Sequence, residues 1–287
     1  MNKVGVLPPW LVLDPLLRGW LLEDIGRGDR TTNPLFTSNL TLGTAKLFAK
    51  ATGIIAGLSV AARVFQLLNE KTSFTMIVND GEFCQPGQVI AEIHGSLDTL
   101  LMGERVALNL AMRLSGIATL THKYVEKIAD FPVQFVDTRK TTPGLRILEK
   151  YATAVGGAIN HRMGLDDAVM IKDNHIAAAG GIGEAITQIR SQIPYPSTIE
   201  VETETIEQVK EALEYKADII MLDNMRLDVV LEAVSLIRQQ NTLVKIEASG
   251  NVTLDNIRDL AATGVDYISS SAPITQSKWL DLSMKMV

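Results

Sequence analysis

The chain has 287 residues, 46% of them hydrophobic and 21% charged, which is enough for one large core or two modest ones and unlike a disordered composition. A net charge of −6 and a pI near 5.3 exclude the basic stripe of a nucleic-acid binder. A single cysteine, Cys84, excludes an internal disulfide and a thiolate metal cluster and fits a reducing, cytoplasmic compartment, while His94, His122, His161 and His175 show no HxxH or HExxH spacing for an all-protein zinc site.

The amino end is apolar in patches, but Pro8-Pro9, Asp14-Pro15 and Arg18 interrupt any signal-peptide core. Residues 10–22 predict a short helix interrupted at Pro15, and EDIGRGDRTT (23–32) reads first as a surface turn. Alternation from Thr41 to Ala51 predicts a strand, followed at Gly53 by a helix through Leu68; the apolar run Ile54 to Leu68 carries Arg63 and Gln66 and is too short to span a bilayer. Phe74–Val78 and Gln88–Ile93, with turns at Asn79-Asp80-Gly81 and Gln85-Pro86-Gly87, predict antiparallel strands and so an α+β sandwich. Gly103 to Asp130 carries the strongest helical pattern: Val106, Leu110, Leu114, Ile117, Thr121, Val125 and Ile128 share one face, with a break suggested at Gly116. Arg105 near its start opposes the helix dipole, a local conflict of the kind that collects at functional places, although an exposed arginine without a role fits equally.

Beyond residue 130 the rhythm changes. Apolar strand candidates at Val133–Val136, Ala168–Ile171, Thr198–Val201, Ile219–Leu222, Leu243–Ile246 and Tyr267–Ile268 alternate with helical patterns such as Ile206–Leu213, Val229–Ile237 and Leu254–Ala261. That alternation predicts a parallel α/β barrel. No GxGxxG follows a strand and no P-loop is present; Gly180-Gly181-Ile182-Gly183 reads as the start of a helix.

The segment from Asp137 to His175 gathers Arg139, Lys140, Arg146, Lys150, His161, Arg162, Lys172 and His175 in an acidic chain, and several follow short apolar runs. Cations at strand exits suit the carboxyl face of a barrel and a polyanionic ligand. The later strands end in acids: Glu200 and Glu202 share one face of IEVET, Asp223 follows IIML, and Glu247 follows VKI. Singly, each acid is more often a cap or an ion-pair partner; as an arc opposite a cation arc they suggest an anionic substrate meeting a phosphorylated sugar, with acids facing an oxocarbenium-like charge or holding magnesium through water. The turn at Gly250 before Leu254–Ala261 offers backbone N–H groups for a phosphate.

The motifs GERVALN (103–109), RLSGIAT (113–119), DTRKTTPGLR (137–146), GGAINHRMGLDDAVMIKDNHI (156–176), IEVET (199–203), MLDN (221–224), EASGN (247–251) and GVDYIS (264–269), with EDIGRGDRTT, closely resemble the quinolinate phosphoribosyltransferase family over nearly the whole chain. The resemblance implies an incomplete α/β barrel (116–271) with an amino-terminal α/β sandwich domain (1–115) joined by the tail from about residue 272. It implies that quinolinate and phosphoribosyl pyrophosphate, with Mg2+, give nicotinate mononucleotide, pyrophosphate and carbon dioxide in de novo NAD biosynthesis, in a homodimer or an assembly of dimers. Carried over, Arg139, Arg162 and Lys172 hold the quinolinate carboxylates, joined by Arg105 from a neighbouring copy, with Thr138, Lys140 and His161 beside the anionic groups. Lys140, Glu202 and Asp223 are the catalytic candidates; Glu202 and Asp223 face the ribose and its magnesium, and Ser249, Gly250 and Asn251 with Ser270 and Ser271 take the phosphate. One departure stands out: the family often reads VGALTHS after YIS, whereas this chain has Ser270-Ser271-Ala272-Pro273-Ile274-Thr275-Gln276, which points to serine hydroxyls at that edge.

Three other activities would need different residues at this site. A phosphoribosyltransferase for nicotinate needs fewer cations around the ring. A barrel that only binds a phosphorylated metabolite would avoid the acids Glu202 and Asp223. A Schiff-base lyase would have to use Lys172, and the Asp-Asn-His after it does not favour that.

Overall fold

The computed structural model describes residues 5–36 and 41–287. In chain order the elements are α1 (Trp10–Ile25), α2 (Thr32–Leu35), β1 (Leu42–Ala49), β2 (Gly53–Ile54), α3 (Leu58–Leu68), β3 (Ser73–Met76), β4 (Phe83–Cys84), β5 (Val89–Ser96), α4 (Leu97–Lys127), β6 (Gln134–Val136) and α5 (Arg146–Val155). They continue with β7 (Val169–Ile171), α6 (Asp173–Ala179), α7 (Ile182–Arg190), β8 (Ile199–Thr203), α8 (Ile206–Glu214), β9 (Ile219–Asp223), α9 (Leu227–Gln240), β10 (Lys245–Ser249), α10 (Ile257–Ala261), β11 (Tyr267–Ser269), α11 (Ala272–Thr275) and β12 (Leu282–Met286). Two compact units result: Met1–His122 with Thr142–Gly157 and Gln276–Val287, and Lys123–Thr141 with Ala158–Thr275. The segment Thr142–Gly157, which holds α5, Arg146 and Lys150, therefore groups with the first unit, where the sequence reading had placed it in the barrel.

The first unit is built on the antiparallel sheet β12-β1-β5-β3. Alternate residues of β1 are buried (Ala45, Leu47, Ala49), the half-buried pattern from which the strand was read. Several local expectations shift here. The helix expected from Gly53 starts at Leu58, because residues 53–54 pair with Cys84 and Phe83, and the Asp80 carboxylate accepts the N–H groups of Gly57 and Leu58 at 2.9 and 3.1 Å. Pro15 does not interrupt α1: the amide it lacks would have bonded Leu11, which is 88% exposed, so water can take that carbonyl. In 23–32, α1 continues to Ile25 and α2 starts at Thr32, so the expected turn is confined to the residues between them, where the Asp29 carboxylate accepts the Thr31 and Thr32 N–H groups.

Helix α4 runs unbroken through Gly116, correcting the expected break. A Cβ at this glycine would stand 2.1 Å from the Lys278 carbonyl oxygen, so the residue is there for close backbone approach. The helix also begins at Leu97, which puts Arg105 in its third turn and removes the supposed conflict with the dipole.

The second unit carries the parallel sheet β6-β11-β10-β9-β8-β7, with helices following the strands as the α/β rhythm predicted. Ile159 bridges in parallel to Val136 beyond β6, so β6 has a neighbour on its outer edge although that segment forms no strand. The Arg162 guanidinium donates to the Ala168 carbonyl at 2.9 Å, tying this segment to the entrance of β7. Strand β10 sits two residues later than expected, and α10 is only the five residues Ile257–Ala261, so the Gly250 turn does not feed directly into a helix.

Gly116→Ala should destabilise the protein by about 1–3 kcal/mol, since a methyl group would have to displace main chain. Urea denaturation checks this, and an unchanged midpoint would show that the Lys278 backbone can move aside.

Candidate functional site

Strand periodicity places the site. Residues two apart face the same side, so Met170 and Lys172, Glu202, Met221 and Asp223, Glu247 and Ser249, and Ser269 all line one cavity of about 620 Å3 at the carboxyl ends of β7 to β11. The register sets Glu202 beside Met221 and Ser249 beside Asp223. Thr138, Arg139 and Lys140 after β6, and His161 and Arg162 after the Ile159 bridge, complete the wall. That volume suits a small polar ligand.

The loops are held by the barrel. Asp137, fully buried at the end of β6, accepts the His161 N–H at 2.8 Å and the Asn160 side-chain amide at 2.7 Å, which fixes where His161 and Arg162 emerge. The Lys140 N–H bonds the Thr138 hydroxyl at 3.1 Å. Lys172 is ion-paired with Glu202, joining the cation arc to the acid arc. Burial first, and then the nearby Arg139 charge, pull the Arg162 pKa down, with Glu200 opposing.

Below the cation arc, Glu200 and Glu247 converge on His161, at 3.0 and 3.8 Å from its Nε2. Both carboxylates are 4% exposed, and each has one oxygen without a hydrogen-bond partner. Burial first, and then the neighbouring Glu200, push the Glu247 carboxyl up to about 7, with the Lys172 ammonium pulling the other way. Glu247 therefore still holds its proton well above the pH at which an ordinary carboxylate loses it. His161 Nδ1 accepts the Arg162 N–H at 2.7 Å, which leaves the ring proton on Nε2, facing Glu200. The three side chains lie within metal-binding reach of one another. The tautomer argues against that use, because Nε2, the atom that would bind, carries the proton.

Of the site residues expected from sequence, Thr138, Arg139, Lys140, His161, Arg162, Lys172, Glu202, Asp223, Ser249, Gly250 and Asn251 line this cavity together. Arg105 does not; it lines a separate cavity of about 590 Å3 in the first unit, with Arg113, Glu149 and Trp279. Ser270 and Ser271 do not line it either. The Ser270 hydroxyl donates to the Val252 carbonyl and accepts the Ala272 N–H, and Ser271 O accepts from Ile274 and Thr275, so these serines start α11. Pro273 falls in the first turn of that helix, where no amide partner is lost. His175 is a cap as well: its Nδ1 accepts the Lys172 N–H at 3.0 Å at the start of α6. Sequence reasoning overlooked Ser269 and Asn224, and it left Glu247 without a role; two-residue spacing from Tyr267, and from Glu247 to Ser249, was the available signal for the strand residues.

The raised Glu247 pKa has a consequence for stability. Between the ordinary value of 4.5 and about 7 the folded protein keeps a proton that the unfolded chain releases, so this group's contribution is full below the lower value and is lost as pH rises through the upper one. Urea midpoints measured across that window should fall less steeply for Glu247→Gln than for the unaltered protein. Parallel slopes would mean that Glu247 ionises normally.

The comparisons agree along the whole chain. The profile of the quinolinate phosphoribosyl transferase N-terminal domain matches residues 29–115, and that of the C-terminal domain matches residues 117–285. A Synechocystis protein named "Probable nicotinate-nucleotide pyrophosphorylase (carboxylating)" is 58% identical over 281 residues, covering 98% of this chain and 95% of its own. The crystal structure of NadC from Streptococcus pyogenes superposes with a TM-score of 0.92 at 41% identity, covering 99% of both chains. The nicotinate-nucleotide pyrophosphorylase of Francisella tularensis does so with a TM-score of 0.91 at 35% identity over the full length of both. With both domain profiles matched in order around a barrel cavity that carries cations on one flank and acids on the other, the chain belongs to the quinolinate phosphoribosyltransferase family.

Proposed function

We infer that this chain transfers the phosphoribosyl group of phosphoribosyl pyrophosphate to quinolinate and releases carbon dioxide, giving nicotinate mononucleotide and pyrophosphate for de novo NAD biosynthesis. The observation that carries this reading is the cavity in which Arg139, Arg162 and Lys172 face Glu202 and Asp223. Quinolinate is an aromatic dianion, and guanidinium and ammonium groups offset the water its carboxylates lose. Its ring nitrogen attacks the anomeric carbon as the bond to pyrophosphate breaks, and positive charge gathers on the sugar. Glu202 and Asp223 are the groups placed to meet that charge. Once the nitrogen is alkylated, the electrons of the bond to the adjacent carboxylate can stay on the ring carbon beside the pyridinium. Carbon dioxide leaves and that carbon takes a proton. Lys140, 3.1 Å through its own amide from the Thr138 hydroxyl, stands on the same wall for the anionic groups of either substrate.

Two carboxylates on adjacent strands, Glu202 and Asp223, form an all-oxygen set that suits Mg2+ bound through water together with the pyrophosphate. The ion would neutralise the leaving pyrophosphate; the protein's own part is to hold the donor beside the acids. The sugar phosphate is assigned to Ser249, Gly250 and Asn251, with Ser269 in place of Ser270 and Ser271 as the serine of the final strand that reaches the cavity.

A homodimer with shared sites is part of this reading. Arg105 belongs to the quinolinate clamp by family resemblance and does not line this chain's cation cavity, so its contribution would come from a second copy. Among the described residues no helix is long and apolar enough to cross a membrane, and a buried free Cys84 accords with the cytoplasm as the site of action.

Incubation with quinolinate, phosphoribosyl pyrophosphate and Mg2+ should yield nicotinate mononucleotide; a folded protein that makes none would falsify the assignment. Arg139→Ala should raise the KM for quinolinate far more than that for the sugar donor, at a cost on the order of 2–5 kcal/mol, and equal losses would remove Arg139 from the clamp. At a quinolinate concentration too low for either variant to turn over, mixing Arg105→Ala with Arg139→Ala under subunit exchange should restore about a quarter of the activity, the share of sites rebuilt in a symmetric dimer. No recovery despite exchange would refute the shared site.

A further inference from the structure

We propose that Asn224 is a positioning residue that ties the Asp223 carboxylate to the Ser249-Gly250-Asn251 turn, so that the two ends of the sugar donor are met by one preset unit. This rests on the reading of the site given above. Asn224 follows β9 directly, and the turn follows β10, its hydrogen-bonded neighbour. The Asn224 side-chain amide donates to Asp223 Oδ2 at 2.7 Å, and its oxygen accepts the Asn251 amide at 3.0 Å. Its backbone N–H bonds the Ser249 carbonyl at 2.9 Å. The orientation of both amides follows from the first bond: a carboxylate only accepts, so the Asn224 nitrogen must face Asp223, its oxygen must face Asn251, and Asn251 must present its nitrogen.

The backbone records what this arrangement requires. Asn224 and Asn251 are two of only three non-glycine residues with positive φ among the described residues, at 53° and 50°. Such conformations cost energy, persist where the surroundings impose them, and cluster at functional sites. Gly250, between Ser249 and Asn251, has φ 91°, and a Cβ there would stand 2.2 Å from the Asn224 side-chain oxygen. Asn224 thus lies directly against the turn to which the sugar phosphate is assigned. Glycine at 224 would adopt the same backbone more easily, so local strain alone gives no reason for an asparagine. The side chain, with both polar atoms committed, does.

The test is Asn224→Gly, which removes the bridge and keeps a residue at ease with positive φ. The thermal midpoint should hold, the KM for phosphoribosyl pyrophosphate should rise about tenfold, and the KM for quinolinate should stay within about twofold, as expected for losing a hydrogen bond to a charged group on one substrate's side. Asn224→Asp, which sets a like charge beside Asp223, should raise the donor KM further and increase the Mg2+ concentration needed for half-maximal rate. If turnover by Asn224→Gly is too slow to follow, calorimetric titration with phosphoribosyl pyrophosphate and Mg2+ should show the same tenfold weakening. An unchanged donor affinity, or equal rises for both substrates, would overturn the proposal. If the unaltered protein makes no nicotinate mononucleotide, the functional reading fails first; if it does and Asn224→Gly keeps its donor affinity, only the role of Asn224 fails.

Discussion

Glu200 and Glu247 project from neighbouring parts of a parallel sheet into its interior, 4% exposed each, and meet at the imidazole of His161. Two ionised carboxylates in that place would cost several kcal/mol apiece in lost hydration. The arrangement around them answers to that cost. The His161 Nε2–H donates to the Glu200 carboxylate, and Glu247 keeps its own proton toward neutrality. His161 can play this part because its other nitrogen is held by the Arg162 amide, and because Asp137 fixes the His161 backbone from the end of β6. The emergence of Arg162 toward the cavity is thus set by the same contacts that make the acids tolerable.

The two flanks of the cavity are built differently. Glu202, Asp223 and Ser249 stand on strands paired on both sides, where position is fixed by the ladder. Arg139, Lys140 and Arg162 follow β6 and the Ile159 bridge, at the edge where the six-stranded ladder ends. Long cationic side chains on loops can follow small differences in an anion's pose, whereas carboxylates with the role proposed for Glu202 and Asp223 would gain from being rigid. The Arg162 bond to the Ala168 carbonyl braces the loop side, doing for that edge part of what a further strand would do.

Much of this was legible in the sequence, for identifiable reasons. Short apolar runs ending in a charge marked β6 to β9 because a parallel strand buried on both faces reads as a continuous apolar run, and two-residue spacing put Glu200 and Glu202 on one face. What misled was information held by partners distant in sequence. Gly116 looked like a helix break until the Lys278 carbonyl is seen against it. Arg105 looked misplaced only because the start of α4 was set six residues late. Ser270 and Ser271 were assigned to phosphate from the family resemblance, but the Ser270 hydroxyl and the Ser271 carbonyl are taken up locally in starting α11. Asn224 could not be singled out at all: its significance lies in a left-handed backbone and in two side chains on either side of it, neither of which residue type encodes.

Lys172 shows how the two flanks act as one. Its ammonium leaves β7 on the cation side and pairs with Glu202 on the acid side, so the cavity is internally neutralised where the arcs meet. The lysine is 42% exposed at its side chain while Glu202 is 13% exposed, so water screens the lysine's end of the pair and the buried end depends on it more. Under the proposed reaction, an incoming carboxylate that took over the lysine would need no newly desolvated cation, and the glutamate it displaced would be left free to face the positive charge proposed to form on the sugar. Binding of the acid and stabilisation of the cationic sugar would then be linked through one side chain, which gives a physical reason for placing both in a single barrel mouth.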